Sequence, residues 1–199
     1  MTAFVITIIF YAFGMSITLG PTNIIMMSTG ANHGFKNTIP FATGAAFGFT
    51  ILVVIVALGF GELLTKHIVI MQTMTYIGSI MICFMGFKIA FSNSHINEKR
   101  TSQPSFFYGA VLQFLNPKSW IACMAGVSAF QISISGERLV IYLLIYVAIG
   151  YLCMLAWGFA GVKINQFLKV GQNLRIFNYI MGASLIVIGV YLAIMDQAI

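Results

Sequence analysis

Lys118 stands where a charge is hardest to hold. It is the only Asp, Glu, Lys or Arg between residues 101 and 136. An ammonium near the middle of a membrane-spanning helix costs roughly 2.5–3.5 kcal/mol on insertion scales, so it usually faces a cavity or a partner. At 1.5 Å per residue it lies roughly 18 Å into its apolar segment, too deep for easy snorkelling along its stem unless the helix breaks beside it. No Asp or Glu falls inside another apolar segment to pair with it. A substrate carboxylate is the counter-ion this arrangement invites.

Two proline breaks supply the rest of the chemistry. Gly20-Pro21-Thr22-Asn23 interrupts the first apolar segment, and Asn116-Pro117-Lys118 interrupts a later one 96 residues on. Proline removes one helical hydrogen bond and frees a carbonyl; in a bilayer, such backbone survives only where protein or a wet cavity satisfies it. The half-helix after each break presents free N–H groups and a positive dipole end, where Thr22 and Asn23 are placed to cap or coordinate. The carbonyls before the breaks, near Ile17-Thr18-Leu19 and Gln113-Phe114, would accept from a ligand ammonium. Gln113 and Asn116, three apart on one helix face, read equally as ligand contacts or as interhelical hydrogen-bonders. A carboxylate site with carbonyl acceptors nearby suits a zwitterion such as an amino acid. Gly20, Pro21, Thr22, Asn23, Gln113, Asn116, Pro117 and Lys118 are therefore the candidate substrate-binding residues.

The elements that must position them follow from composition. Only 7% of the 199 residues are charged and 60% are hydrophobic, with a mean hydropathy of +0.98; a soluble domain could not cover such a surface. A spanning helix needs about 20 apolar residues. The uncharged runs predict six spans near 3–30, 38–61, 68–90, 106–130, 139–162 and 175–195. Broken helices at corresponding places in two half-repeats are the sequence mark of a transporter's substrate site.

The net charge of +6 does not point to nucleic acid, because its distribution is that of loops. Lys36, Lys88, Lys99, Arg100, Lys163, Lys169 and Arg175 follow the odd-numbered spans; only Lys66 and Arg138 lie on the other side. The positive-inside rule then puts the odd-numbered loops in the cytoplasm and both termini outside. No basic region precedes the first span, so a cleaved signal peptide is not expected.

The one long polar stretch, 92–104, divides a first repeat (1–91) from a second (105–199) within a single membrane domain, 1–199. Three spans in each half is an odd number, so the second half enters the membrane inverted. Aligning Pro21 with Pro117 also brings Gly14 within one residue of Gly109, each in an aromatic-rich approach. Gly44 and Gly48, and a small face of Ala156, Gly158, Ala160 and Gly161, are expected to pack closely on other helices; a homo-oligomer stays open. His33, His67, His95 and Glu62 read as interfacial or loop residues, and Trp120 and Trp157 as packing or belt residues. Cys83, Cys123 and Cys153 lie within spans with no CxxC spacing, which disfavours a disulfide or metal site. Neither HExxH, GxSxG, a phosphate loop nor a dinucleotide fingerprint occurs, so no enzyme and no cofactor is expected.

Leu19-Gly20-Pro21-Thr22-Asn23 followed by His33-Gly34-Phe35-Lys36 resembles the N-terminal signature of the lysine-exporter (LysE/RhtB) family of amino-acid efflux transporters. That family carries Gly-Pro-Asn there, whereas here Thr22 intervenes before Asn23. Leu112-Gln113-Phe114-Leu115-Asn116-Pro117-Lys118 is similar to its Asn-Pro-Lys motif. The resemblance covers essentially the whole chain, and its text is most like the cysteine/O-acetylserine exporter branch, with homoserine/threonine-type exporters open. It implies an all-α integral membrane protein of six transmembrane helices in two inverted three-helix repeats, the first and fourth broken at proline. It also implies proton-coupled secondary export of amino acids across a bacterial cytoplasmic membrane. The missing intramembrane carboxylate favours neutral substrates. The coupling site stays open, with Lys118 one candidate to trade a proton for substrate. The alternatives are a membrane thiol-redox carrier, which should place a cysteine near each break, and a metal-ion transporter, which should carry intramembrane Asp or Glu.

Overall fold

The computed structural model describes residues 2–60, 68–91, 103–132, 136–168 and 173–195. Eight α-helices form among them: α1 (Thr2–Ile17), α2 (Pro21–His33), α3 (Ile39–Ile55), α4 (Ile68–Ala90), α5 (Phe106–Leu115), α6 (Pro117–Ala129), α7 (Glu137–Leu168) and α8 (Asn173–Met195). A 3₁₀ turn at Phe35–Thr38 leads into α3, and a π-helical stretch at Val56–Phe60 closes it, kinked at Gly59.

Each proline begins a helix rather than sitting inside one. Pro21 and Pro117 occupy the first turns of α2 and α6, where the missing N–H costs nothing and the fixed φ fits. The residue before each, Gly20 and Asn116, is extended, as proline demands of its predecessor. The α1–α2 pair bends by 63° across residues 18–20, and the α5–α6 pair breaks at Asn116 alone.

Among the described residues, Phe35–Gly59, Glu137–Asn165 and Asn173–Ile194 are long and apolar enough to cross a membrane, and α1–α2 makes a fourth if the bent pair is one span. Thr75–Ala90 and α5 are apolar but shorter. Large apolar side chains such as Phe10, Ile80, Phe107, Leu144 and Val187 stand exposed, as lipid-facing residues must. Of the polar stretch, 92–102 lies outside the described residues, as do Glu62, Lys66, His67, Lys169 and Asp196.

The core falls into two clusters. One gathers Ile8 and Ala12 of α1, Phe49, Leu52 and Val53 of α3, Trp120 and Cys123 of α6, and Leu139, Tyr142 and Tyr146 of α7. The other gathers Ile24–Met26 of α2, Phe41, Ala42 and Ala45 of α3, Ile82 and Met85 of α4, Leu112 of α5, Met154 of α7 and Leu185 of α8. Helices α3 and α7 run through both, and the breaks lie where the clusters part.

The expected small-residue contacts are made within this one chain. α2 lies along α7, α3 along α5 and α4 along α8. A Cβ on Gly44 would sit 1.8 Å from the Phe106 carbonyl oxygen, and one on Gly161 2.0 Å from that of Met27. The small face of α7 is narrower than expected, since Ala156 points outward while Gly158 is buried.

Candidate functional site

A cavity of ≈ 90 Å³ opens between the breaks. Gly20, Thr22, Asn23, Gln113, Asn116 and Lys118 all line it, so the fold brings six of the eight candidate residues to one space. Pro21 and Pro117 do not line it; they act by starting α2 and α6. The remaining wall is largely apolar, from the middles of α3 (Ala45, Phe49) and α7 (Tyr146, Gly150, Met154). No Asp or Glu is among the lining residues.

The Ser16, Ile17 and Thr18 carbonyls at the first break are satisfied by side chains of the protein, not left for a ligand ammonium. Asn23 Nδ2 donates to the Ser16 carbonyl at 2.8 Å and to the Thr18 carbonyl at 2.9 Å. Trp157 Nε1 donates to the Ile17 carbonyl at 3.1 Å. Lys118 Nζ donates to both the Thr18 carbonyl and Thr18 Oγ1, each at 2.8 Å. At the second break, Trp120 Nε1 donates to the Phe114 carbonyl at 2.7 Å. An unsatisfied carbonyl at membrane depth costs several kcal/mol, which explains why two indoles and an ammonium are drawn to these positions. Trp120 and Trp157 are therefore more than packing or belt residues.

Lys118 is accordingly not partnerless. Its ammonium hydrogen-bonds the end of α1 from the start of α6, a cation completing a helix C-terminus, and so ties the first break to the second. The bonds leave its charge uncompensated, since among the described residues no carboxylate meets it. Lys118 is half-buried and Thr18 exposed, so the pair stands at the cavity's edge.

Two further expectations change. Gln113 and Asn116 do not share a helix face, because the helix ends between them; Asn116 is extended, and its Oδ1 accepts from the Lys118 amide at 3.1 Å as the N-cap of α6. Asn23 reaches back to α1 instead of capping α2. The start of α2 is left without any capping side chain, so of the two half-helix N-termini this one keeps its orphan amides beside the cavity. Gln113 bridges the breaks: its Oε1 accepts from Ser119 Oγ at 2.8 Å, and its Nε2 makes a long 3.5 Å contact to Thr22 Oγ1.

Sequence reasoning placed Thr18 only as a carbonyl acceptor for a ligand ammonium, not as the partner of Lys118, and missed Ser119 and Tyr146. Ser119 had a usable signal: it stands two residues after Pro117, as Asn23 stands two after Pro21. Tyr146, 5% exposed, stacks on Phe49 with ring centroids 4.7 Å apart, and only the packing of α3 on α7 shows it. Among the described residues the cysteines are free, and no group of three or more His, Cys, Asp or Glu is placed to hold a metal ion.

The family model for LysE type translocators matches residues 13–196, which spans both breaks and the whole cavity. The chain belongs to the LysE type translocator family. Among similar proteins, the cysteine/O-acetylserine efflux protein of Klebsiella pneumoniae is 27% identical over 179 residues, covering 88% of this chain and 90% of that one. The cysteine/O-acetylserine efflux protein of Salmonella typhimurium is 27% identical over 169 residues, 83% of this chain and 87% of the other. That of Escherichia coli O1:K1 matches over 120 residues at the same identity, covering 60% of this chain and 62% of the other. No solved structure matches. As a LysE type translocator, this is a membrane transport protein of an efflux family, and its apolar helices fit that assignment.

Proposed function

We propose that this translocator exports small neutral amino acids or close derivatives, of the cysteine/O-acetylserine kind, across the bacterial cytoplasmic membrane. The observation that carries the reading is the cavity itself. It offers one ammonium, one uncapped helix N-terminus and no carboxylate, which suits a zwitterion that carries no second positive charge. Lys118 and the first amides of α2 hold the substrate carboxylate. Thr22, Gln113 and Ser119 orient the polar remainder, and Phe49, Tyr146 and Met154 take the apolar part, with the aromatic faces available to the substrate ammonium. The substrates named for the relatives agree with this charge.

Transport proceeds by alternating access between two inverted three-span repeats, with α4 and the α5–α6 pair completing six spans. Two features support it. Gly30 stands nine residues after Pro21 and Gly126 nine after Pro117 (30 − 21 and 126 − 117). The two sites are packed differently: a Cβ on Gly30 would lie 2.0 Å from the Gly158 carbonyl oxygen, backbone on backbone, whereas one on Gly126 would lie 2.1 Å from the Tyr142 hydroxyl. That hydroxyl is buried without a hydrogen-bond partner. The α2–α7 contact is thus glycine on backbone and the α6–α7 contact glycine against tyrosine, an asymmetry one state of an inverted repeat should carry. By the positive-inside rule the glycine-on-backbone contact lies toward the cytoplasm. An inward proton gradient drives export.

The test is efflux of labelled O-acetylserine from preloaded cells expressing the chain. Export is expected, with loss in Lys118→Ala at unchanged protein level and collapse when a protonophore dissipates the gradient. Export that survives Lys118→Ala would refute the site, and export indifferent to the protonophore would refute the coupling.

A further inference from the structure

Resting on that reading of the cavity, we propose that Thr18 and Gly20 are positioning residues that fix the Lys118 ammonium and so make the site selective for a free carboxylate. Thr18 does not line the cavity, so it acts through Lys118 and not on the ligand. It offers two oxygens, backbone and side chain, each 2.8 Å from Nζ. A lysine ammonium is a point charge on a flexible stem with three donors. Two held by Thr18 leave one N–H at a defined place, beside the uncapped start of α2. One charged donor from Lys118 and the first amides of α2 then make a two-sided cradle for the two oxygens of a carboxylate. A carboxamide presents only one acceptor oxygen and no charge, so the same cradle holds it poorly.

Gly20 supplies the passage. Its backbone is extended, at φ −168° and ψ 175°, a conformation open to every residue, so backbone freedom is not why glycine stands there. A Cβ would sit 3.2 Å from Lys118 Cδ and 3.3 Å from Nζ. A methyl at this position would make the Lys118 stem give by a few tenths of an ångström, so glycine leaves the ammonium free to rest on Thr18. The glycine immediately before the first proline and the lysine immediately after the second are therefore one device, built from both halves of the chain.

The experiment is titration calorimetry of the purified full-length protein with O-acetyl-L-serine and, separately, with its carboxamide. Wild type is expected to bind the acid at least about tenfold more tightly than the amide, the scale of one charge-assisted hydrogen bond. Thr18→Val should weaken the acid by about tenfold and leave the amide unchanged. Thr18→Ser should restore wild-type selectivity, because it keeps the hydroxyl. Gly20→Ala, which shifts the Lys118 stem only slightly, should change selectivity in the same direction as Thr18→Val and by less. In a Lys118→Gln background, Thr18→Val should have no further effect, since its action passes through the ammonium. Thermal unfolding of each variant controls for folding; if Gly20→Ala does not fold, the Thr18 pair decides alone. Equal losses for acid and amide in Thr18→Val, unchanged acid affinity, or an undiminished effect in the Lys118→Gln background would each overturn the inference while leaving Lys118 as the carboxylate partner. If wild type and Lys118→Gln bind the acid alike, the reading of the cavity fails, and this inference fails with it.

Discussion

At the scale of single residues, the first break is held by donors from three places in the sequence. Lys118, Asn23 and Trp157 close the carbonyls of Ser16, Ile17 and Thr18 from α6, α2 and α7. Removing one donor strands its acceptor in a low-dielectric setting. Trp157→Phe should lower stability by about 1–3 kcal/mol, read as a shift in the denaturant midpoint of the detergent-solubilised protein; no shift would mean that the Ile17 carbonyl finds water or another donor. Trp120→Phe should behave alike through the Phe114 carbonyl. The chemistry of Lys118 was legible in the sequence because a lone cation in an apolar run is costly wherever the chain goes. Its partner was not. Thr18 lies 100 residues earlier, and a threonine beside a break looks the same whether or not an ammonium arrives. The freed carbonyls were legible as orphans, but their donors are tertiary facts.

At the scale of helices, the breaks were legible and their geometry only partly so. Proline followed by polar residues marks where α2 and α6 start, since proline is at home in a first helical turn. The unequal capping was hidden: Asn116 stands ready as an N-cap, whereas Gly20 has no side chain to offer. The length of α7, running to Leu168, exceeded the expected span because helix continues past Lys163, the charge that ends the apolar segment. Small residues signalled close packing correctly, and the structure adds the partners. Gly30→Ala should cost about 1–3 kcal/mol, the usual range for forcing bulk into a packed contact, because its Cβ would strike the Gly158 carbonyl 2.0 Å away. Gly14→Ala, with nothing within 4 Å of a Cβ, should be tolerated. A comparison of unfolding midpoints for the two variants checks this; equal effects would mean that α2 and α7 pack with slack.

For the whole molecule, membrane character followed from composition alone, because apolar surface on this scale has no other home. Orientation rests on loop charges, and it makes a direct prediction. A reporter active only in the periplasm, fused at the C-terminus, should be active, and the same reporter fused within 92–104 should be silent; the reverse pattern would overturn the orientation read from the loop charges. Composition could not show that Gly30 meets the Gly158 backbone while Gly126 meets Tyr142, since both contacts depend on how the helices pack. The central claim is that the cavity between the two breaks carries a small amino acid on Lys118. Its most direct test is counterflow in proteoliposomes holding the purified protein, with unlabelled O-acetylserine inside and a labelled trace outside. The account predicts transient accumulation of label with wild-type protein, none with Lys118→Gln, and competition by free amino acids of similar size but not by their carboxamides. Accumulation by Lys118→Gln equal to wild type would contradict it.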